Sequence, residues 1–242
     1  MQIHFVIHEV FEGPGYFEYW ALKNGFQISY TRLYLGETLP TDALGFDLLV
    51  VLGGPQNPST SQDESPYFDA HSEKSFINEA ILNNKAVVGV CLGAQLIGEA
   101  LGAGYATSPE REIGSFPITL TQHGLSDPLL GSFEVEEIVG HWHSDMPGLT
   151  KDSRVLAFSQ GCSRQIVRYA PLVYGFQCHL ELTSSELPPL IENSHQLLAD
   201  HNTQQFVQSE REILAMHTVR MNQLLGEFLD RLVNKYLQYE VK

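Results

Sequence analysis

The run FDLLVVL (46–52) constrains the fold of this chain more than any other stretch. It is almost wholly apolar, as expected of a strand covered on both sheet faces. IHFVI (3–7), FQISYTRLY (26–34) and AVVGV (86–90) read as further strands. Helical patterns separate them: one from about Pro14 to Asn24, stopped by Gly25, one from Ala70 to Asn83, and one after Cys91. Strands alternating with helices predict an α/β, doubly wound, mostly parallel central sheet flanked by helices, the flavodoxin-like arrangement. From about Ile113 the rhythm changes. IGSFPITLTQ, FEVEEIVGHW, RVLAFSQ, RQIVRY and LVYGFQCH follow one another closely, predicting an added mixed or antiparallel region of the same sheet.

After LPP (187–189) a helical pattern is expected to the end of the chain. Met221, Leu224, Leu225, Phe228, Leu229, Leu232, Val233 and Tyr236 fall on one stripe, suited to covering the sheet or, alternatively, to docking on another subunit. No linker demands a boundary, so we expect one unit at 1–195 with a helical extension, 196–242, packed on it.

Composition narrows the function. The 242 residues carry a formal net charge of -15, with 43% hydrophobic and 18% charged residues. A soluble protein that binds neither nucleic acid nor an anionic membrane is expected, because both reward clustered Lys and Arg. The first residues, MQIHFVIHEVFEG, read as a strand and not a signal peptide. Three cysteines form no even-numbered disulfide framework, so free thiols in the cytoplasm are expected.

Cys91 sits where AVVGV turns into a helix, in Gly89-Val90-Cys91-Leu92-Gly93. A helix N-terminus stabilises a thiolate, and the next backbone N–H, that of Leu92, is free to meet an oxyanion. Flanking glycines relieve crowding in such a strand–turn–helix. A nucleophilic thiol needs a base. In YGFQCHLELTSS, His179 and Glu181 are spaced to project from one face, the carboxylate fixing the imidazole tautomer, while Cys178 faces the packing side. Gly53 and Gly54 end the FDLLVVL strand, where a second oxyanion donor belongs.

GVCLGAQ, LGGP and FQCHLE together resemble the class I (triad) glutamine amidotransferases, most nearly the glutaminase domain of GMP synthase and its stand-alone relatives. The resemblance spans roughly residues 1 to 195. It implies a Cys91–His179–Glu181 triad, an oxyanion hole from Gly54 and Leu92, and Gln95 as a substrate-holding residue beside Gly53. VGHWHSD resembles the family's Ser-His-Gly-Asp segment, which brings in His143 and Asp145. The family has proline between the catalytic His and Glu, whereas this chain has Leu180, which puts the loop's rigidity in question. The expected reaction is hydrolysis of the glutamine γ-amide, or of a related γ-glutamyl compound, through a cysteine thioester. No cofactor and no metal are expected. Expected partners are a small-molecule substrate and either a separate synthetase subunit or a second copy.

Other readings stay open. The protein is alternatively a γ-glutamyl peptidase with water as its only acceptor. The order Cys91, Asp145, His179 also suits a cysteine esterase of the α/β-hydrolase type. His141, His143 and Asp145 invite a metal, although no further ligand lies at recognisable spacing. A non-catalytic binding protein on the same fold completes the set.

Overall fold

The computed structural model describes residues 1–199 and 203–240. The first half runs β1 (Gln2–Ile7), α1 (Tyr16–Lys23), β2 (Gln27–Arg32), β3 (Leu48–Val51), α2 (Ala70–Leu82), β4 (Ala86–Val90) and α3 (Leu92–Ala100). Next come β5 (Ala106–Leu120), α4 (Gln122–Leu125), β6 (Glu136–Met146), β7 (Arg154–Phe158), β8 (Ile166–Ala170) and β9 (Val173–Phe176). Four helices follow, α5 (Leu187–Glu192), α6 (His195–Leu198), α7 (Glu210–Leu214) and α8 (Val219–Glu240). All the strands join one nine-stranded sheet in the order β2-β1-β3-β4-β9-β8-β7-β5-β6. It is parallel from β2 through β9 and antiparallel beyond. The expected mostly parallel sheet with a mixed extension is therefore the observed one.

The apolar runs follow from two cores. Leu48, Val50 and Leu52 point into the core beneath α1 and α8, while Leu49 and Val51 point into the core beneath α2 and α3. A strand that feeds both cores cannot alternate polar with apolar residues. The stripe on α8 is buried against this chain's own sheet, and Phe228 meets Tyr174 and Phe176 edge-to-face at ring-centroid distances of 5.1 and 5.0 Å. That contact, and not a second subunit, covers the stripe.

Two boundaries differ from the sequence reading. β5 begins at Ala106, before Ile113, because its first residues pair with the end of β6 across a register shift between Thr107 and Glu112. Residues 203–209 are not helical. Ile113 N–H donates to Phe206 carbonyl (2.8 Å), Gln208 N–H donates to Ile113 carbonyl (2.9 Å), and the Gln208 amide brackets the Ser115 backbone. β7 reaches β5 only at Thr119 and Leu120, so this segment fills an edge that would otherwise stay unpaired. The helical reading of 200–202 and 241–242 lies outside the described residues.

Candidate active site

β4 delivers Cys91 at its carboxyl end, with Cys91 N–H donating to the Phe176 carbonyl of the neighbouring β9 (2.7 Å). The residue holds φ 50° and ψ -108°, a conformation that costs a non-glycine residue roughly 1–3 kcal/mol. The flanking glycines have a steric cause. A Cβ on Gly93 would overlap the Val51 carbonyl, and one on Gly89 would overlap the Gly93 backbone. α3 lies so close to β3 and β4 that no side chain fits at either position. The Cys91 thiol donates weakly to the Trp142 carbonyl at 3.7 Å.

His179 follows the end of β9, and its N–H donates to the Gly140 carbonyl of β6 (2.8 Å). Its Nδ1 donates to Glu181 Oε1 at 2.6 Å, and both side chains are buried. Nε2 has no completed hydrogen bond, and the Cys91 thiol is its polar neighbour. Burial opposes a charge on this ring, but the Glu181 carboxylate and Cys91 outweigh it and hold His179 well above its ordinary range. Cys178 packs inward against the Gln165 carbonyl, as expected, and burial pushes its thiol well upward.

Three successive carbonyls of the His179 loop are tied down from distant parts of the chain. Asn222 Nδ2 of α8 donates to Leu180 O (2.7 Å) and Leu182 O (3.0 Å), while Tyr16 N–H donates to Glu181 O (2.8 Å). Leu180 itself is buried. The stiffness that a proline would give is supplied here by α1 and α8.

Opposite the thiol, Gly53 and Gly54 follow the end of β3. His8 Nδ1 donates to the Gly53 carbonyl (3.0 Å), and His8 Nε2 donates to Glu73 Oε2 (2.8 Å). Both ring nitrogens face acceptors, so the ring is held protonated. Burial works against that charge, but Glu73 and the Gly53 carbonyl outweigh it and raise His8 above its ordinary value. The Gly53–Gly54 peptide is trans, so a carbonyl fixed on His8 turns Gly54 N–H the other way. Neither Gly54 N–H nor Leu92 N–H has an acceptor among the described residues. His8 and Glu73 escaped the sequence reading because 65 residues separate them and neither lies in a recognisable motif.

A cavity of about 180 Å³ brings together Cys91, Gly54, Gln95, Glu12, His143 and Asp145. Gln95 Nε2 donates to Gln177 Oε1 (3.2 Å), leaving Gln95 Oε1 buried without a partner. Glu12 was not anticipated, and its burial raises the carboxyl to about 7. Asp145 makes no hydrogen bond or ion pair with His179 among the described residues. The Cys91–Asp145–His179 order of an α/β-hydrolase is thus not assembled.

His143 leads instead to a second buried cluster. Glu112, His141 and His143 each place one potential ligand atom within 4.8 Å of the others, with Asp145 outside the set. Gln165 Nε2 stands among them, 2.6 Å from Glu112 Oε2 and 3.2 Å from both His141 Nδ1 and His143 Nε2. Burial lowers His141 to about 3 and His143 well below its ordinary value, so both rings are neutral. The amide holds the position a cation would take.

Residues 22–196 match the family model for glutamine amidotransferase class-I. The chain is 51% identical to the glutamine amidotransferase-like protein YfeJ of Salmonella typhimurium, over 98% of this chain and all of that one. Its fold superposes on the crystal structure of SMU.1228c with a TM-score of 0.95, at 47% identity, covering 96% of this chain and 100% of that one. A more distant similarity links it to the glutamine-hydrolysing GMP synthase of Caldanaerobacter subterraneus, 32% identical over 40% of this chain and 19% of that protein.

Proposed function

The chain belongs to the class I glutamine amidotransferase family, and from that premise we propose that it hydrolyses the γ-amide of glutamine, or a related γ-glutamyl amide, through a thioester on Cys91. The observation that carries this reading is the division of labour on His179. Its Nδ1 is locked to Glu181, and its buried Nε2 is left open beside the thiol.

In the proposed reaction His179 Nε2 takes the Cys91 proton, and the thiolate attacks the γ-carbonyl carbon. Negative charge gathers on the carbonyl oxygen, where Gly54 N–H and Leu92 N–H receive it; one such donor contributes about 3 kcal/mol to the transition state. The C–N bond breaks as His179 gives its proton to the departing ammonia or amine. Water, deprotonated by His179, then attacks the thioester, releasing glutamate and restoring the thiol. Glu181 orients the ring throughout, and Gln95 holds the substrate chain with its unpartnered Oε1. Free Cys91, Cys162 and Cys178 suit a reducing cytoplasm, and among the described residues no helix is long and apolar enough to cross a membrane. By analogy with the GMP synthases, a separate synthetase subunit is the proposed ammonia acceptor.

A panel of glutamine, γ-glutamyl peptides and γ-glutamyl amines, with and without cell extract, tests the proposal. Mass spectrometry of quenched reactions should find a γ-glutamyl adduct on Cys91 that vanishes in Cys91→Ala. Full activity in Cys91→Ala would sink the mechanism. Glutamine turnover that appears only with extract supports the subunit reading, and fast peptide cleavage without it supports the peptidase.

A further inference from the structure

We propose that Glu12 selects substrates with a free α-ammonium group, its carboxylate binding that ammonium while the γ-carbonyl lies at Cys91. This inference rests on the γ-glutamyl reading of the site and adds a recognition residue to it.

Glu12 lies on the turn after β1 and lines the same cavity as Cys91. The carboxylates around it are committed. Glu9 accepts from Gln56 and Tyr67, Glu73 from His8, Glu181 from His179, and Glu186 from Thr183. The Glu12 carboxyl alone of this group has no hydrogen-bond or ion-pair partner among the described residues. Half-buried at the wall of a cleft beside Cys91, it is open to a ligand.

Its position fits. A Cβ on Gly53 would stand 3.5 Å from Cys91 Cβ and would overlap Glu12 Oε2, so Gly53 makes room for the carboxyl beside the Cys91 side chain. In a γ-glutamyl group the α-nitrogen lies four bonds from the carbonyl carbon that Cys91 attacks. That length suits a group anchored at the thiol at one end and at Glu12 at the other. The lining charges favour a cation, with carboxyls at Glu12 and Asp145 and no lysine or arginine among the described lining residues. Within the chain, burial outweighs the cations near Glu12. Burial raises it to about 7, Glu181 and Glu9 add to the rise, and His179 and His8 oppose it. An ammonium seated beside it reverses that balance and keeps the carboxylate ionised.

The test compares glutamine with glutaramate, which has the same γ-amide and α-carboxylate but no α-amino group. The wild type should prefer glutamine in kcat/KM by roughly 10–100-fold, the usual loss when a charged hydrogen bond is deleted. Glu12→Gln should bring that ratio to within a few-fold of one, mainly through KM for glutamine. Glu12→Asp, which keeps the charge but draws it back, should restore part of the preference. A chloroketone of glutamine and its desamino counterpart should show the same contrast in their rates of Cys91 labelling, and thermal melts of each variant check folding.

An unchanged ratio in Glu12→Gln overturns the inference. So does an equal fall for both substrates, or a change confined to γ-glutamyl amides whose leaving amine is cationic. If neither compound is hydrolysed and neither chloroketone labels Cys91 in the wild type, the γ-glutamyl reading itself fails and this inference falls with it. Turnover with an unchanged ratio removes only the role of Glu12.

Discussion

The buried histidine–glutamate pairs His8–Glu73 and His179–Glu181 differ in what is left over. In His8–Glu73 both ring nitrogens are spent, one on the carboxylate and one on the Gly53 carbonyl. In His179–Glu181 the carboxylate takes Nδ1 and nothing completes a bond to Nε2. The first pair can only hold, whereas the second can accept a proton and return it. Burial and a partner carboxylate therefore do not make a histidine a base; a free second nitrogen beside a nucleophile does.

That contrast can be broken from either side. The largest effect should come from His179→Asn, which should lower kcat by roughly 10³-fold or more in steady-state glutaminase assays. Glu181→Gln should cost somewhat less, and Asp145→Asn should be nearly silent. Equal losses at Asp145 and Glu181 would revive the α/β-hydrolase arrangement.

Glu73→Gln should act more mildly on turnover, about tenfold in kcat with little change in KM, because it loosens the peptide that aims Gly54 N–H. Its larger mark should be on stability, about 3 kcal/mol in urea unfolding, since it leaves His8 buried without its counter-charge. His8 is raised in the folded state, so its contribution is complete below its unfolded value of 6.5 and is lost as pH climbs through the folded one. Stability measured from pH 6 upward should accordingly decline less in Glu73→Gln than in the wild type.

Asn222→Ala should cost about 2 kcal/mol, one for each carbonyl it releases, and should lower kcat a few-fold by freeing the loop under His179. The smallest effect lies at the nucleophile's own backbone. Cys91→Gly should be more stable than Cys91→Ala by about 1 kcal/mol, because glycine adopts φ 50° without strain.

The parallel half of the fold was legible because its signals are local. FDLLVVL and AVVGV declare strands buried on both faces, and Gly89 and Gly93 bracket the turn at Cys91. His179 and Glu181 were legible for the same reason, being two residues apart. What escaped was carried by contacts distant in sequence. Nothing near residues 206–208 foretells that they fill the open edge beside Ile113. Glu112 joins His141 and His143 only once β5 pairs with β6 and β8 brings Gln165 between them. Glu12 sits in a stretch that looks like any turn, and its proximity to Cys91 follows from the bare backbone of Gly53.

The ties on the His179 loop also set an order of events during synthesis. Tyr16 is made early, but Asn222, which holds the carbonyls on both sides of Glu181, is made at least 40 residues after them. Until it emerges, a chain already carrying the thiol, the base and both glycines still lacks the clamp that keeps the base in place. The seating of His179 is therefore finished by a helix made after it, and a chain cut before Asn222 holds Cys91 and His179 without the clamp on the loop between His179 and Thr183.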